Sequence, residues 1–269
     1  MDKKTNVRAL TECSIMIALA TVLSIVKLLE MPYGGSITLA SMLPVAIVAY
    51  RHGLKHGFAT ALSVSLIQML LGMKNFSYFT TWQSLVVLAI FDYVVAFGVF
   101  GIAGIFKRKT KKQSTALTVG VLLASVLRYA CHVLSGATVW AGLSIPTEAA
   151  LIYSISYNAT YMIPETIILV AVTAYISSML DLSAQVPVRI PAEKIDRRGM
   201  CLKILAGCVA TGALVYDTAT VFASLQNADS GEFDVTLISS VNWLSVLLTT
   251  AVCAAISTAL FLASKRKTK

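Results

Sequence analysis

The chain has 269 residues, 57% of them hydrophobic and 13% charged, with a net charge of +9 and a mean hydropathy of +0.78. The charged fraction is about half that of a soluble domain, and the apolar residues fall in blocks of about twenty, the length that crosses a bilayer. An ordinary soluble protein is excluded, and with it the nucleic-acid partner that a basic soluble chain would suggest; the expected surrounding is lipid.

The basic N-terminus (Lys3, Lys4, Arg8) leads into an apolar stretch from about Ala9 to Leu29. No small-residue cleavage site follows, so the stretch reads as a first span rather than a removed leader. After a breaker loop through Pro32, Tyr33 and Gly34-Gly35, span two is short, about Ile37 to Tyr50. It contains Pro44, which predicts a kinked or partly re-entrant segment. A tight basic turn over 51–57 precedes span three, about Phe58 to Met73. Span four runs from about Trp82 to Phe106 and ends in a Lys/Arg cluster, span five from Ser114 to Val139, and span six from Ala149 to Leu180, interrupted by Pro164. Residues 181–200, punctuated by Pro187 and Pro191, read as a basic linker. Two further spans follow, Met200 to Leu225 and Leu237 to Ala263, joined by an acidic loop over 227–234. The expected organisation is therefore a six-span core (1–180), a linker (181–200) and a two-span hairpin (201–269).

Charge placement orients the spans. With a cytoplasmic N-terminus, the segments on that side hold 19 of the 22 Lys and Arg residues, and only Lys27, Lys74 and Arg128 lie elsewhere. The positive-inside rule then places both termini in the cytoplasm. The fold class is all-α, a polytopic transmembrane helix bundle of eight spans in the cell membrane.

Within this frame, Leu127–Trp140 stands out. Arg128, His132, Gly136 and Trp140 are spaced by four and form one helical stripe. An arginine at membrane depth costs about 2.5–3.5 kcal/mol on insertion scales. Asp92 on span four and Tyr153 and Asn158 on span six fall at similar depths, roughly 6–18 Å from the outer face at 1.5 Å per residue. Packing these helices together is the cheapest way to tolerate such groups. Arg128 is the expected partner of Asp92. A carboxylate among the rings of Trp82, Tyr93, His132, Trp140, Tyr153 and Tyr157 suits a flat organic cation. Asn158 offers a donor and an acceptor to a heteroaromatic edge. Trp82 and Trp140 also sit where interfacial anchors belong. Glu165, two turns beyond Asn158, serves either the cavity floor or a structural bond, and Asp217 has no evident partner.

The five cysteines lack metal-ligand spacing. Neither a phosphate-binding Gly-rich loop ending in Lys-Ser or Lys-Thr nor a hydrolase motif occurs. No catalytic set, metal or cofactor is expected, and the chain is not read as an enzyme.

The stretch Leu127–Trp140, the pair Asp92-Tyr93 with Gly101-Ile102-Ala103-Gly104, the run Tyr153–Asn158 and the opening Asn6–Glu12 together resemble the thiamine-specific substrate-binding subunit (S component) of energy-coupling factor transporters. The resemblance covers roughly residues 5–180. It implies a six-helix bundle that binds thiamine near its outer face and depends on a membrane coupling subunit and two ATPases for transport. Carried over by position, it implies substrate contacts at Asp92, Tyr93, Arg128, His132, Trp140, Tyr153 and Asn158, with Trp82 near a family aromatic. Asp92 is a methylene shorter than the Glu of some members, Arg128 replaces a Lys, and Gly34-Gly35 stand where some members place a Trp. Ser14 and Ala18 form a small-x-x-x-small pair that admits a close helix, and the resemblance implies docking of the coupling subunit there. The second reading is a stand-alone, proton-coupled secondary transporter of an organic cation, with Asp92 or Glu165 as its proton site.

Overall fold

A backbone in hydrocarbon must bond to itself, so long apolar blocks become helices. The computed structural model describes residues 3–31, 34–79, 81–139, 148–190, 197–225 and 235–264. Tyr33, Trp140, the loop through Pro146, the 227–234 loop and the C-terminal basic cluster lie outside the described residues. Seven described stretches are long and apolar enough to cross a membrane: Val7–Ile25, Leu54–Leu71, Trp82–Ile102, Gln113–Val139, Ala150–Met179, Leu205–Leu225 and Trp243–Ala263. The chain forms two compact units, Met1–Ile190 and Pro191–Lys269.

In the first unit, α1 (Lys3–Ile25) leads into a small antiparallel hairpin, β1 (Lys27–Glu30) with β2 (Ser36–Thr38), which pairs Lys27 with Thr38 and Glu30 with Ser36. Next comes α2 (Leu43–His52), the segment expected as span two. At ten residues it is about 15 Å long, half a bilayer core. Pro44 does not kink it. It stands in the first turn, where its missing N–H removes no helical bond. All eight residues from Leu43 to Tyr50 are buried, so α2 is enclosed on every side by protein. Gly53, at φ 84°, is the single residue between α2 and α3 (Leu54–Leu71), and it adopts a backbone that other residues rarely take.

The fourth span is four consecutive helical pieces. They are α4 (Trp82–Val87), a π-helical stretch (Leu88–Val95), α5 (Ala96–Gly98) and a 3₁₀ turn (Val99–Ile102). The core is closed by α6 (Gln113–Val139) and α7 (Glu148–Met179). Pro164 does not interrupt α7, which runs through it; a transmembrane helix carries one lost bond when its neighbours hold it in place. Backbones touch along one seam. A Cβ on Gly120 would lie 1.9 Å from the Ala103 carbonyl oxygen, and one on Gly104 would lie 2.1 Å from that of Ala49.

Beyond α7 the expected linker begins instead as part of this unit. Strands β3 (Leu180–Asp181) and β4 (Val188–Arg189) pair, and Leu182 is buried in the core. Gln113 donates to the carbonyls of Ser177 and Leu180 and accepts from the Leu182 N–H. Arg51 pairs with Glu12 and donates to the carbonyls of Leu182, Ala184 and Gln185. Beside it, burial lowers the pKa of Lys107, which donates to the Arg51 carbonyl at 3.2 Å.

The second unit pairs α8 (Arg197–Leu225) with α9 (Trp243–Ala263). Asp217 has a partner here after all, accepting from the Thr250 hydroxyl at 2.6 Å.

Candidate functional site

A cavity of about 470 Å³ lies in the first unit, at the end of the bundle away from Arg51. It opens between the C-terminal ends of α1, α3 and α6 and the N-terminal half of α7. Thr38 and Ser41, just before the short α2, line it as well. The half-length helix thus leaves the centre of this end without a helix of its own.

The charged groups meet here, but not in the expected pairs. Asp92 does not bond to Arg128. Its Oδ1 lies 3.0 Å from Nδ1 of His132, and Arg128 Nη1 instead reaches Oε2 of Glu165 at 3.4 Å. The Thr38 hydroxyl donates to the other Glu165 oxygen at 2.8 Å and shares a second bond of 2.8 Å with Ser41. Arg128 also donates from Nε to His132 Nε2 at 3.3 Å, and its guanidinium carbon lies 4.4 Å from the Phe97 ring centroid. Thus Glu165, Arg128, His132 and Asp92 form one chain across α7, α6 and the fourth span. Their side chains are between 7% and 21% exposed. Within these four residues, with His132 neutral, Arg128 balances Glu165 and one negative charge remains, on Asp92; Lys74 lines the cavity separately. Repositioning starts in the π-helical stretch, which contains Asp92 and Tyr93 and turns their side chains away from the α-helical azimuth.

Aromatic rings line two sides. On α7, Tyr153 and Tyr157 stack at 6.2 Å and 4°, and Tyr157 meets Tyr161 edge-on at 5.7 Å. On the fourth span, Tyr93 stacks between Phe76 and Phe97. Its hydroxyl accepts from Asn75 Nδ2 at 3.1 Å and donates to the Gly72 carbonyl at 3.3 Å. Tyr93→Phe is expected to cost about 1 kcal/mol of stability through the lost bonds, read as a melting point lower by about 2–4 °C.

Asn158 lines the cavity with its amide already engaged. It donates to the Ser154 carbonyl at 2.8 Å and accepts from the Tyr161 hydroxyl at 2.6 Å. The Ser154 hydroxyl donates to the Val133 carbonyl at 2.8 Å, which joins α7 to α6. Gly136 makes room for this contact, because a Cβ there would lie 2.4 Å from Ser154 Oγ. At the mouth, Lys27 bonds Glu30 at 2.7 Å and holds its carboxyl below the usual range.

Of the residues singled out from sequence, the structure gathers Asp92, Tyr93, Arg128, His132, Tyr153 and Asn158 around this cavity. Trp82 is not brought to it; that side chain is 69% exposed, as an interfacial ring would be. Trp140 lies outside the described residues. Ser14 and Ala18 are on the exposed face of α1. Sequence reasoning passed over Thr38, Phe97 and Tyr161. Tyr161 carried a usable signal, since Tyr153, Tyr157, Tyr161 and Glu165 repeat at four, as Arg128, His132 and Gly136 do on the facing helix.

The model of a family described as "Thiamine transporter protein (Thia_YuaJ)" matches residues 10–183. The chain is 36% identical over 179 residues to "Thiamine transporter ThiT" of Bacillus subtilis (strain 168), an alignment covering 62% of this chain and 89% of that protein. A solved structure of ThiT from Listeria monocytogenes superposes with a TM-score of 0.52 at 21% identity, covering 64% of this chain and 94% of the other, which shows a shared fold. The cavity residues, from Ser24 to Glu165, all lie inside the matched region. The chain is a multi-pass membrane protein and belongs to the thiamine transporter protein family.

Proposed function

We propose that the cavity binds thiamine and that the chain is the substrate-binding subunit of an energy-coupling factor importer. The observation that carries this reading is the carboxylate of Asp92, largely buried, lining the cavity and bonded to an imidazole rather than to Arg128. Thiamine has one fixed positive charge on a flat thiazolium ring, joined to an aminopyrimidine. The cavity volume of about 470 Å³ is in the range of small-molecule sites. Asp92 faces the thiazolium charge, and His132 and Tyr153 offer ring faces to stack on; Trp140 is proposed as a further contact from its sequence position alone. Tyr93 and Arg128 shape the walls, and Asn158 presents an amide edge. The family match and the Bacillus relative's name support thiamine over other flat cations.

For transport we propose a membrane coupling subunit and two ATPases as partners. The exposed face of α1 is the docking surface, since Ser14 and Ala18 leave room for a helix to approach. Both termini lie in the cytoplasm, and Pro191–Lys269, outside the matched region, is an added two-helix unit.

Purified full-length protein should be stabilised by thiamine by about 2.7 kcal/mol at a hundred times Kd, seen as a raised melting point. Proteoliposomes containing this chain alone should not accumulate thiamine. An unchanged melting point with no heat of binding would remove the reading. Uptake by the chain alone, driven by a pH gradient, would replace it with the proton-coupled secondary transporter. The pairing of Glu165 with Arg128 and Thr38 weighs against that alternative, because it occupies one of the two carboxylates such a transporter would titrate.

A further inference from the structure

We infer that Arg128 is a positioning residue: it holds His132 in the neutral form protonated on Nδ1, so that Asp92 meets the ligand with no opposing charge bonded to it. This builds on the reading of the ligand as a monocation.

The order of donors decides the tautomer. A guanidinium has only donors and keeps its charge. Its Nε–H points at His132 Nε2 across 3.3 Å, so Nε2 carries the lone pair. The ring's proton is then on Nδ1, donated to Asp92 Oδ1 at 3.0 Å. An imidazolium would set two donors face to face at the Arg128 end. Glu165 balances the arginine's own charge at 3.4 Å. The cation of Arg128 therefore acts on the ligand through His132.

The other ionisable groups lining the cavity come from every side. Tyr93 is on the fourth span, and Tyr153, Tyr157 and Tyr161 are on α7. Lys27, Glu30 and Lys74 stand toward the mouth, where the first two pair with each other. Imidazole is the one type among these that ordinarily changes charge between about pH 5 and 8.

If His132 were free to take a second proton, that proton and a cationic ligand would compete for Asp92. The test is the pH profile of thiamine binding by calorimetry in the full-length protein. The informative variant is the pair Arg128→Met with Glu165→Gln, which removes one charge of each sign. It leaves the cavity's net charge unchanged and no buried ion without its partner. Wild-type Kd should change less than about twofold between about pH 8 and pH 6, while the pair variant's should rise about fivefold or more. Adding His132→Gln to the pair should flatten the profile again. A wild-type profile as steep as the variant's, a flat variant, or a slope that survives His132→Gln would each overturn the inference.

A second measurement does not need thiamine. Imidazole ¹⁵N shifts of histidine-labelled protein, assigned with His132→Gln, should show Nδ1 protonated and Nε2 bare at about pH 6. A proton on Nε2 would overturn the assignment even if thiamine proves not to be the ligand; thiamine binding that fails at every pH removes only the proposed function.

Discussion

Asp92→Asn is expected to weaken thiamine binding by about thirtyfold or more, about 2 kcal/mol, without lowering the melting point of the empty protein. Asparagine has the same shape, and its Oδ1 can still accept from His132 Nδ1, so the empty chain of bonds persists. What disappears is the charge. In the empty cavity that charge is only partly compensated by a neutral imidazole, so its loss costs folding little. In the complex it faces a cation in a site shielded from water, where charge pairing is strongest. Calorimetry on wild type and variant at one pH and salt concentration reads the difference. An affinity within about threefold of wild type would mean that the rings, and not the carboxylate, carry recognition.

Gly120→Val is expected to have the largest effect on folding. Its Cβ would sit 1.9 Å from the Ala103 carbonyl oxygen, a contact between two backbones that no side-chain rotation relieves. The α6 helix must move away from the 99–104 turn, opening a core in which Phe100, Ala103, Leu117 and Val121 are fully buried. Overpacking of this kind costs about 1–3 kcal/mol. A drop of about 5–10 °C in the melting point in detergent follows. Because α6 also carries Arg128 and His132, affinity should fall along with stability. A melting point within 2 °C of wild type, on the same order as about 1 kcal/mol or less, would show that the helices separate more easily than their contacts suggest.

Much of the helix layout could be read from apolar block length, because a chain in lipid has few ways to satisfy its backbone. Sequence depth likewise put Asp92, Arg128, His132 and Asn158 at one level. Depth along a helix is a height, however, and pairing needs azimuth as well. Asp92 was expected to reach Arg128 and instead meets His132, because the π-helical stretch turns it by an amount no α-helical period contains. Glu165 was left between the cavity floor and a structural bond, and it takes both places, lining the cavity while it bonds Arg128 and Thr38. Pro44 reads the same in a kink as in a first turn, and only the start of α2 at Leu43 separates the two. Trp82 shows a further limit: an aromatic at a span end satisfies the interface and a ligand pocket equally well on paper, and the structure leaves it exposed.

The wide turn at Leu88–Val95 also bears on how this site can change over generations. A π-helical turn holds one residue more than the α-turn that would replace it. Deleting a single residue there would leave a stretch still long enough to cross the membrane. The flanking helix would keep its facing, because the α-turn closes the same revolution with one residue fewer, and only the residues of the wide turn itself, Asp92 among them, would shift around the axis. Span and site are thus separate heritable traits: a one-codon deletion can keep the protein in the bilayer while moving its carboxylate out of the cavity, and a one-codon insertion can bring one in.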